Sequence, residues 1–139
     1  MIPKKIHLCW LSGDAYPAKI ARCIESWKRF LPDYEVVLWD TKRFDLSQSR
    51  WVREAFEKKK YAFAADYIRF YALYHEGGIY FDSDVEVLRS FDDLLDMPYC
   101  VGAEKAGTPE AAIMGAEKGC DWIKKCLDYY TDRPFVKSD

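Results

Sequence analysis

Residues 77–84 read Gly-Gly-Ile-Tyr-Phe-Asp-Ser-Asp, an apolar run that ends in two aspartates one residue apart. A β-strand turns successive side chains to opposite faces. Ile79 and Phe81 then point one way; Tyr80, Asp82 and, if the strand continues, Asp84 point the other. Neighbouring carboxylates repel, and one takes up a proton unless a cation sits between them. Oxygen-only ligands of this kind suit a hard ion, Mg²⁺ or Mn²⁺, and ligands of open α/β sheets bind at strand ends. The competing reading is a polar turn with two solvated aspartates. An EF-hand loop beginning at Asp82 is excluded, because its sixth position needs Gly and holds Val87. A haloacid-dehalogenase-type phosphatase, which also places Asp-x-Asp after a strand, usually does so near the N-terminus; here the motif lies at residue 82 of 139.

A second pair lies upstream. Asp66 and Arg69 are three apart, hence on one face of a helix. Their helix is otherwise apolar, and a charge buried there costs several kcal/mol unless paired. The pair either fixes packing or faces a ligand's hydroxyls and phosphates. Trp10 ends an apolar run near the N-terminus, where an aromatic ring can wall a nucleobase site or simply belong to the core rim. His7, on the same run, reads as a structural histidine, and His75 as a helix-end residue interacting with the dipole. No phosphate-binding glycine loop and no Ser/His/Asp arrangement is present.

Alternating strands and helices position these groups. Lys5 to Leu11 reads as a buried strand; Ile20, Ile24, Trp27 and Leu31 recur at helical spacing behind Pro17, which suits a first helical turn. Tyr34 to Trp39 reads as a second strand, Asp40 to Ser49 as a loop and Trp51 to Lys58 as a short helix. Ala62 to His75 is apolar almost all round, which predicts a buried helix, closed by Gly77-Gly78. Ile79 to Asp82 follows as a strand that Val85 to Leu88 could extend. Tyr99 to Ala103 reads as another strand, residues 102–119 as mixed, and Cys120 to Tyr130 as a last helix. This pattern predicts an α/β sandwich around a mostly parallel sheet.

The length of 139 residues fits one domain, and 50% hydrophobic with 17% aromatic residues supports a real core. A net charge of −2 argues against nucleic-acid binding by bulk charge. The basic stretch from Lys42 to Lys60 is broken by acids and reads as a solvated face, with an anionic membrane or acceptor as the minor option. No apolar run approaches the roughly 18 residues that span a bilayer. Ile6 to Leu11 is too short for a signal-peptide core, so a cytoplasmic location is expected. Cys9, Cys23, Cys100, Cys120 and Cys126 lack zinc spacing and read as reduced thiols.

Ile2-Pro3-Lys4-Lys5-Ile6-His7 with Trp10, then Ala64-Ala65-Asp66-Tyr67-Ile68-Arg69, then the Gly77 to Asp84 run together resemble the glycosyltransferases with a DXD sugar-binding region. That family-32-like group includes bacterial capsular-polysaccharide transferases, the yeast initiating α-1,6-mannosyltransferase and, more distantly, the glucosylating clostridial toxins. The resemblance runs from residue 2 to about residue 130. It implies a GT-A fold, a Rossmann-like nucleotide-diphospho-sugar transferase sandwich, in a single donor-binding domain over residues 1–139. It also implies a retaining, Mn²⁺- or Mg²⁺-dependent transfer of a hexose or N-acetylhexosamine. The donor is a nucleotide sugar, a UDP-sugar first and GDP-mannose second. The acceptor is a surface glycan such as capsular polysaccharide or lipopolysaccharide, or a lipid-linked glycan precursor, with peripheral association at the inner membrane face. By position, Trp10 matches the aromatic that stacks on uracil, Asp66 and Arg69 the pair on donor sugar and phosphates, and Tyr80 a lining residue. Asp82 matches the first DXD carboxylate, on ribose, sugar or metal, and Asp84 the direct metal ligand. Family members commonly continue further, so the distal acceptor part is expected to lie outside this chain. Ala111 stands where relatives often carry an Asn facing the donor sugar. The alternative is a non-catalytic nucleotide-sugar-binding module or an inactive fragment.

Overall fold

The computed structural model describes residues 1–103 and 109–135, with only the backbone described at residues 103 and 109–111. The chain runs β1 (Lys5–Cys9), α1 (Ala18–Phe30), β2 (Glu35–Trp39), α2 (Arg50–Glu57), α3 (Tyr61–Glu76), β3 (Gly78–Phe81), β4 (Tyr99–Ala103), β5 (Pro109–Ala116) and α4 (Asp121–Tyr129). Pro17 occupies the N-cap of α1 rather than its first turn. Ser49 caps α2 by accepting from the Val52 N–H. The five strands order β2-β1-β3-β5-β4.

Strand alternation sorts the core into two layers. Ile6, Leu8, Ile79 and Phe81 face α1 and pack with Trp27 and Leu31. On the other face, Val37 and Trp39 meet Ala64, Ile68 and Ala72 of α3, while Tyr80 and Met114 meet Leu73 of α3 and Ile123 of α4. Burying a Leu, Ile or Phe side chain contributes about 1.5–3 kcal/mol. α3 is therefore held by packing along one side. It is not buried all round: Phe63 is 39% exposed.

Two expectations are corrected. The sheet is mixed rather than mostly parallel: β1 pairs parallel with β2 and β3, but β5 runs antiparallel to both β3 and β4. The difference is β5 itself, which lies within the stretch read as mixed. The second correction concerns Val85 to Leu88, which do not extend β3. After Phe81 the Asp82 N–H still donates to the Ala112 carbonyl (2.8 Å), but the Asp82 carbonyl accepts from the Val85 N–H (3.0 Å), turning the chain. Beyond that turn α1 holds the segment: Trp27 Nε1–H donates to the Val85 carbonyl (2.7 Å) and Ser26 Oγ accepts from the Val87 N–H (2.8 Å).

His7 is the structural histidine expected. Fully buried, it donates from Nε2–H to the Gly77 carbonyl (2.8 Å) and accepts at Nδ1 from Trp39 Nε1–H (3.0 Å). Gly77 and Gly78, at φ +71° and +122°, leave no room for a Cβ: one at Gly78 would lie 2.8 Å from the Lys5 carbonyl oxygen and 3.2 Å from His7 Nε2. Burial holds the His7 pKa below its ordinary 6.5, against the Gly77 hydrogen bond and Glu76, which raise it. The unfolded chain thus binds the extra proton first as pH falls below 6.5, and the fold loses stability there. Urea unfolding at pH 8 and pH 5 should show that loss, and a His7→Gln variant should show less of it.

Candidate functional site

The chain leaves β1 to reach β2 on one side and later returns as β3 on the other. The carboxyl ends of β1 and β3 are thus a topological switch point, where an open α/β sheet leaves a crevice beyond its strands. A cavity of about 420 Å³ occupies it, and Trp10, Asp66, Arg69, Tyr80, Asp82 and Asp84 all line it. All six residues singled out in the sequence therefore meet in one place, delivered by β1, α3, β3 and the turn after β3.

Arg69 is the centre of this arrangement. Its side chain is 8% exposed; Nη1 donates to Asp66 Oδ1 (3.3 Å) and Nη2 to Asp82 Oδ1 (3.1 Å). The guanidinium carbon lies 4.8 Å from the centre of the Tyr80 ring. One cation thus ties α3 to β3 and keeps two carboxylates together in the same cleft. Its Nε–H is buried with no acceptor among the described residues. Unpaired buried donors are uncommon and call for an explanation such as a functional role.

Burial, opposed by Arg69, raises the Asp66 pKa above the usual carboxylate value. Burial opposes the charge on Arg69 itself, but Tyr80, Asp82 and Asp66 outweigh it and hold the guanidinium above its ordinary pKa. The Tyr80 phenol is pushed up, mainly by burial, and stays protonated. Burial also pushes the Cys9 thiol up to about 12, so this cavity-lining sulfur is not a thiolate nucleophile at neutral pH.

Trp10 forms the wall beside β1. Its Nε1–H donates to the Asp14 carbonyl (2.8 Å) and its ring meets Tyr16 edge-on at 5.1 Å, which fixes the plane of the indole. Asp84 sits exposed at the mouth, on the turn and not on the strand. Its place in the cavity thus comes from the Asp82–Val85 bond rather than from strand alternation.

The donor set suits one kind of metal binding. Among the described residues no group of three or more His, Cys, Asp or Glu side chains is arranged to hold an ion. One or two carboxylates completed by substrate phosphates and water are a usual Mg²⁺ arrangement. Asp82 and Asp84 therefore fit an ion that arrives with a diphosphate, not one caged permanently by protein.

Some lining residues were not foreseen, among them Tyr61, Ala62 and Ala65 of α3, Ile20 of α1 and Ser83. A signal for the helical ones was present: 62, 66 and 69 and 61, 65 and 69 recur at spacings of three and four, so the face carrying Asp66 and Arg69 includes them. His75 is elsewhere, exposed at the last turn of α3 with its ring 4.3 Å from Tyr71. The side chain of Ala111 lies outside the described residues. The basic residues of the stretch are mostly exposed and partly paired, Arg43 with Glu76 and Arg50 with Glu54. All five cysteines are free thiols.

Comparison with known proteins bears on this geometry. The family model described as glycosyltransferase sugar-binding region containing DXD motif matches residues 17–100. Inositol phosphoceramide mannosyltransferase 3 of Schizosaccharomyces pombe is 34% identical over 122 residues, which cover 85% of this chain and 34% of that protein. Mannosyl phosphorylinositol ceramide synthase SUR1 of Saccharomyces cerevisiae is 32% identical over 105 residues, 70% of this chain and 26% of that protein. The chain thus spans about a third or less of these curated relatives. Among solved structures, PaToxG Glycosyltransferase superposes with a TM-score of 0.73 at 23% identity, over 91% of this chain and 59% of that one. At that identity the likeness is one of fold, and the fold is GT-A-like.

Proposed function

The chain belongs to the glycosyltransferases with a DXD-containing sugar-binding region, and from that premise we propose that the cavity beyond β1 and β3 binds a nucleotide diphosphate sugar and transfers its hexose. The observation that carries this reading is the convergence of Trp10, Asp66, Arg69, Tyr80, Asp82 and Asp84 on one cavity at the switch point. Relatives named as an inositol phosphoceramide mannosyltransferase and a mannosyl phosphorylinositol ceramide synthase support a mannose donor beside a UDP-sugar. The family resemblance supports retention of configuration.

Each side chain has a role its surroundings allow. Trp10 offers a fixed aromatic face to the base. Arg69, held between Asp66 and Asp82, presents positive charge to the phosphates and stabilises the diphosphate as it leaves. Asp66, with a raised pKa and a lining position, accepts hydrogen bonds from sugar hydroxyls. Asp82 and Asp84 would hold Mn²⁺ or Mg²⁺. Bound there with the donor, such an ion neutralises charge on the departing diphosphate. Tyr80, protonated and packed on Arg69, keeps the guanidinium aimed. The acceptor is the hydroxyl of a glycan or a lipid-linked glycan.

Thermal unfolding with UDP, GDP, CMP and ADP, each with and without Mn²⁺, tests the donor site. A ligand at about a hundred times its dissociation constant adds about 2.7 kcal/mol of stability. A shift with one diphosphate only when Mn²⁺ is present is the expected result, and it names the base. No shift with any of them overturns the reading. In the same assay Trp10→Ala should weaken the responding nucleotide roughly 5- to 150-fold, since base stacking on an aromatic side chain contributes about 1–3 kcal/mol. Unchanged affinity would remove Trp10 from the base site.

A further inference from the structure

A second cavity, of about 350 Å³, opens between α3 and α4. Phe70, Trp122, Cys126, Tyr129 and Tyr130 line it, with Lys125 on its rim. Aromatic exposure around it is unusual: Trp122 is 39% exposed, Tyr129 58%, and Tyr99, stacked on Trp122 at 5.5 Å, 48%. Burying these rings together would be favourable, and monomeric proteins seldom leave such rings contiguous without a use.

Among the described residues that line the cleft, the charged one is a cation. Lys125 is exposed with no acidic partner among the described residues. The Arg133 guanidinium lies 3.7 Å from the centre of the Tyr129 ring, anchored by a bond from Nε–H to the Tyr129 carbonyl. The two acids of α4 are placed differently. At 100° per residue, Asp121 and Asp128 fall roughly 100° or more round the helix from the midline of the cleft-lining face, and Asp128 is paired with Lys124. Trp and Tyr rings with an apolar body and a polar tip, flanked by Lys and Arg, are the side-chain set of the membrane–water interface. A cleft made for a sugar alone would also carry carboxylate or amide side chains for its hydroxyls, and the described lining holds none. Burial, with the Asp66 charge adding to it, raises the Tyr130 phenol pKa to about 12, so it remains a neutral donor.

The cleft is close to the first cavity. Phe70 lies four residues after Asp66, hence one helical turn along the same ridge of α3. Tyr130 packs on Phe70 at 6.3 Å and on Tyr67 at 5.8 Å, and it feels the charges of Asp66 and Arg69.

We propose that this aromatic and basic cleft is a membrane-contact site, seating Trp122, Tyr129 and Tyr99 in the headgroup layer of an anionic lipid bilayer with Lys125 and Arg133 against its phosphates. An acceptor carried in that layer then arrives one helical turn from Asp66. This last consequence rests on the donor-site reading; the membrane contact itself does not.

The test is flotation with phosphatidylcholine vesicles, with and without about a third of phosphatidylserine, at near-physiological salt. The wild-type chain should float with the anionic vesicles and hardly with the neutral ones. Trp122→Ala with Tyr129→Ala should lower the vesicle partition coefficient at least tenfold. Lys125→Glu, an exposed change that tests the fold least, should lower binding to the anionic vesicles at least fivefold, as expected for about 1 kcal/mol per surface cation. No flotation of the wild-type chain, or flotation that all these variants keep, overturns the proposal. So does sedimentation velocity showing that the same variants dissolve a dimer of this chain, because the face is then covered by a second copy. Nucleotide-dependent thermal shifts are read separately, so loss of the donor site and loss of the membrane site are distinguishable.

Discussion

Asp84→Ala should abolish the Mn²⁺-dependent part of nucleotide diphosphate binding and cut sugar transfer or donor hydrolysis about a hundredfold to ten-thousandfold, the several kcal/mol that a Lewis-acidic ion contributes. Asp84 is exposed and lies on a turn whose far side is tied to α1 through Val85 and Val87. Its removal therefore should leave the fold alone, within the about 0.5 kcal/mol typical of surface changes. Titrating Mn²⁺ against wild type and variant, with donor hydrolysis as readout, separates the roles. The variant should have lost its dependence on the ion, not merely need more of it at the same maximum. An unchanged ion requirement would sink the assignment of Asp84 as a ligand and leave Asp82 alone in that role.

Arg69→Met is expected to have the second large effect, of a different kind. Its guanidinium holds Asp66 and Asp82 at 3.3 and 3.1 Å. Without it the two carboxylates face one another and the departing diphosphate with no other cation among the described residues lining the cavity. Loss of one preorganised donor to a developing charge costs about a hundredfold to a thousandfold in turnover. The stability cost should be smaller than the about 3–5 kcal/mol for breaking a fully buried pair. Asp66 and Asp82 side chains are 37% and 39% exposed, and can turn toward water. An Arg69→Lys variant keeps the charge but not the two-armed geometry and should recover only part of the activity. If Arg69→Met turns over like wild type while melting lower, the residue is a structural tie and nothing more.

How much of this was legible in the sequence follows from what each element depends on. β1, α1, β2, α3 and β3 announce themselves because large apolar side chains recur with period two or at spacings of three and four. β5 does not. Pro109–Ala116 holds only Ile113 and Met114 as large apolar residues, and Ala and Gly in that stretch favour no strand by themselves. Its neighbours make it a strand: it lies between β3 and β4, and Gly115 leaves room for Cys100, whose Sγ would be 2.8 Å from a Cβ there. Missing β5 made the sheet look mostly parallel.

The site divides in the same way. Alternation along β3 correctly sends Tyr80 and Asp82 to the α3 face and Ile79 and Phe81 to α1. It fails one step later, at Asp84, because a turn bonded back to Asp82 is decided by contacts with Trp27 and Ser26 that lie nearly sixty residues away in sequence. The pairing of Asp66 with Arg69 was visible as a spacing. That Arg69 also reaches Asp82 was not, since it depends on α3 packing against the sheet.

The Gly77-Gly78 pair carries a further consequence for how this motif diverges. Its two glycines are held by steric limits, Gly77 beside Pro3 and the Lys118 backbone and Gly78 beside Lys5 and His7, and Asp82 by its ion pair with Arg69, whereas the exposed Asp84 side chain sits at the cavity mouth. A gene copy released from selection for sugar transfer would therefore be free to lose Asp84 while still needing both glycines to fold. Descendants that keep the glycines and lack Asp84 are the expected signature of retired enzymes kept as scaffolds, so the two ends of the motif report on separate histories: architecture and chemistry.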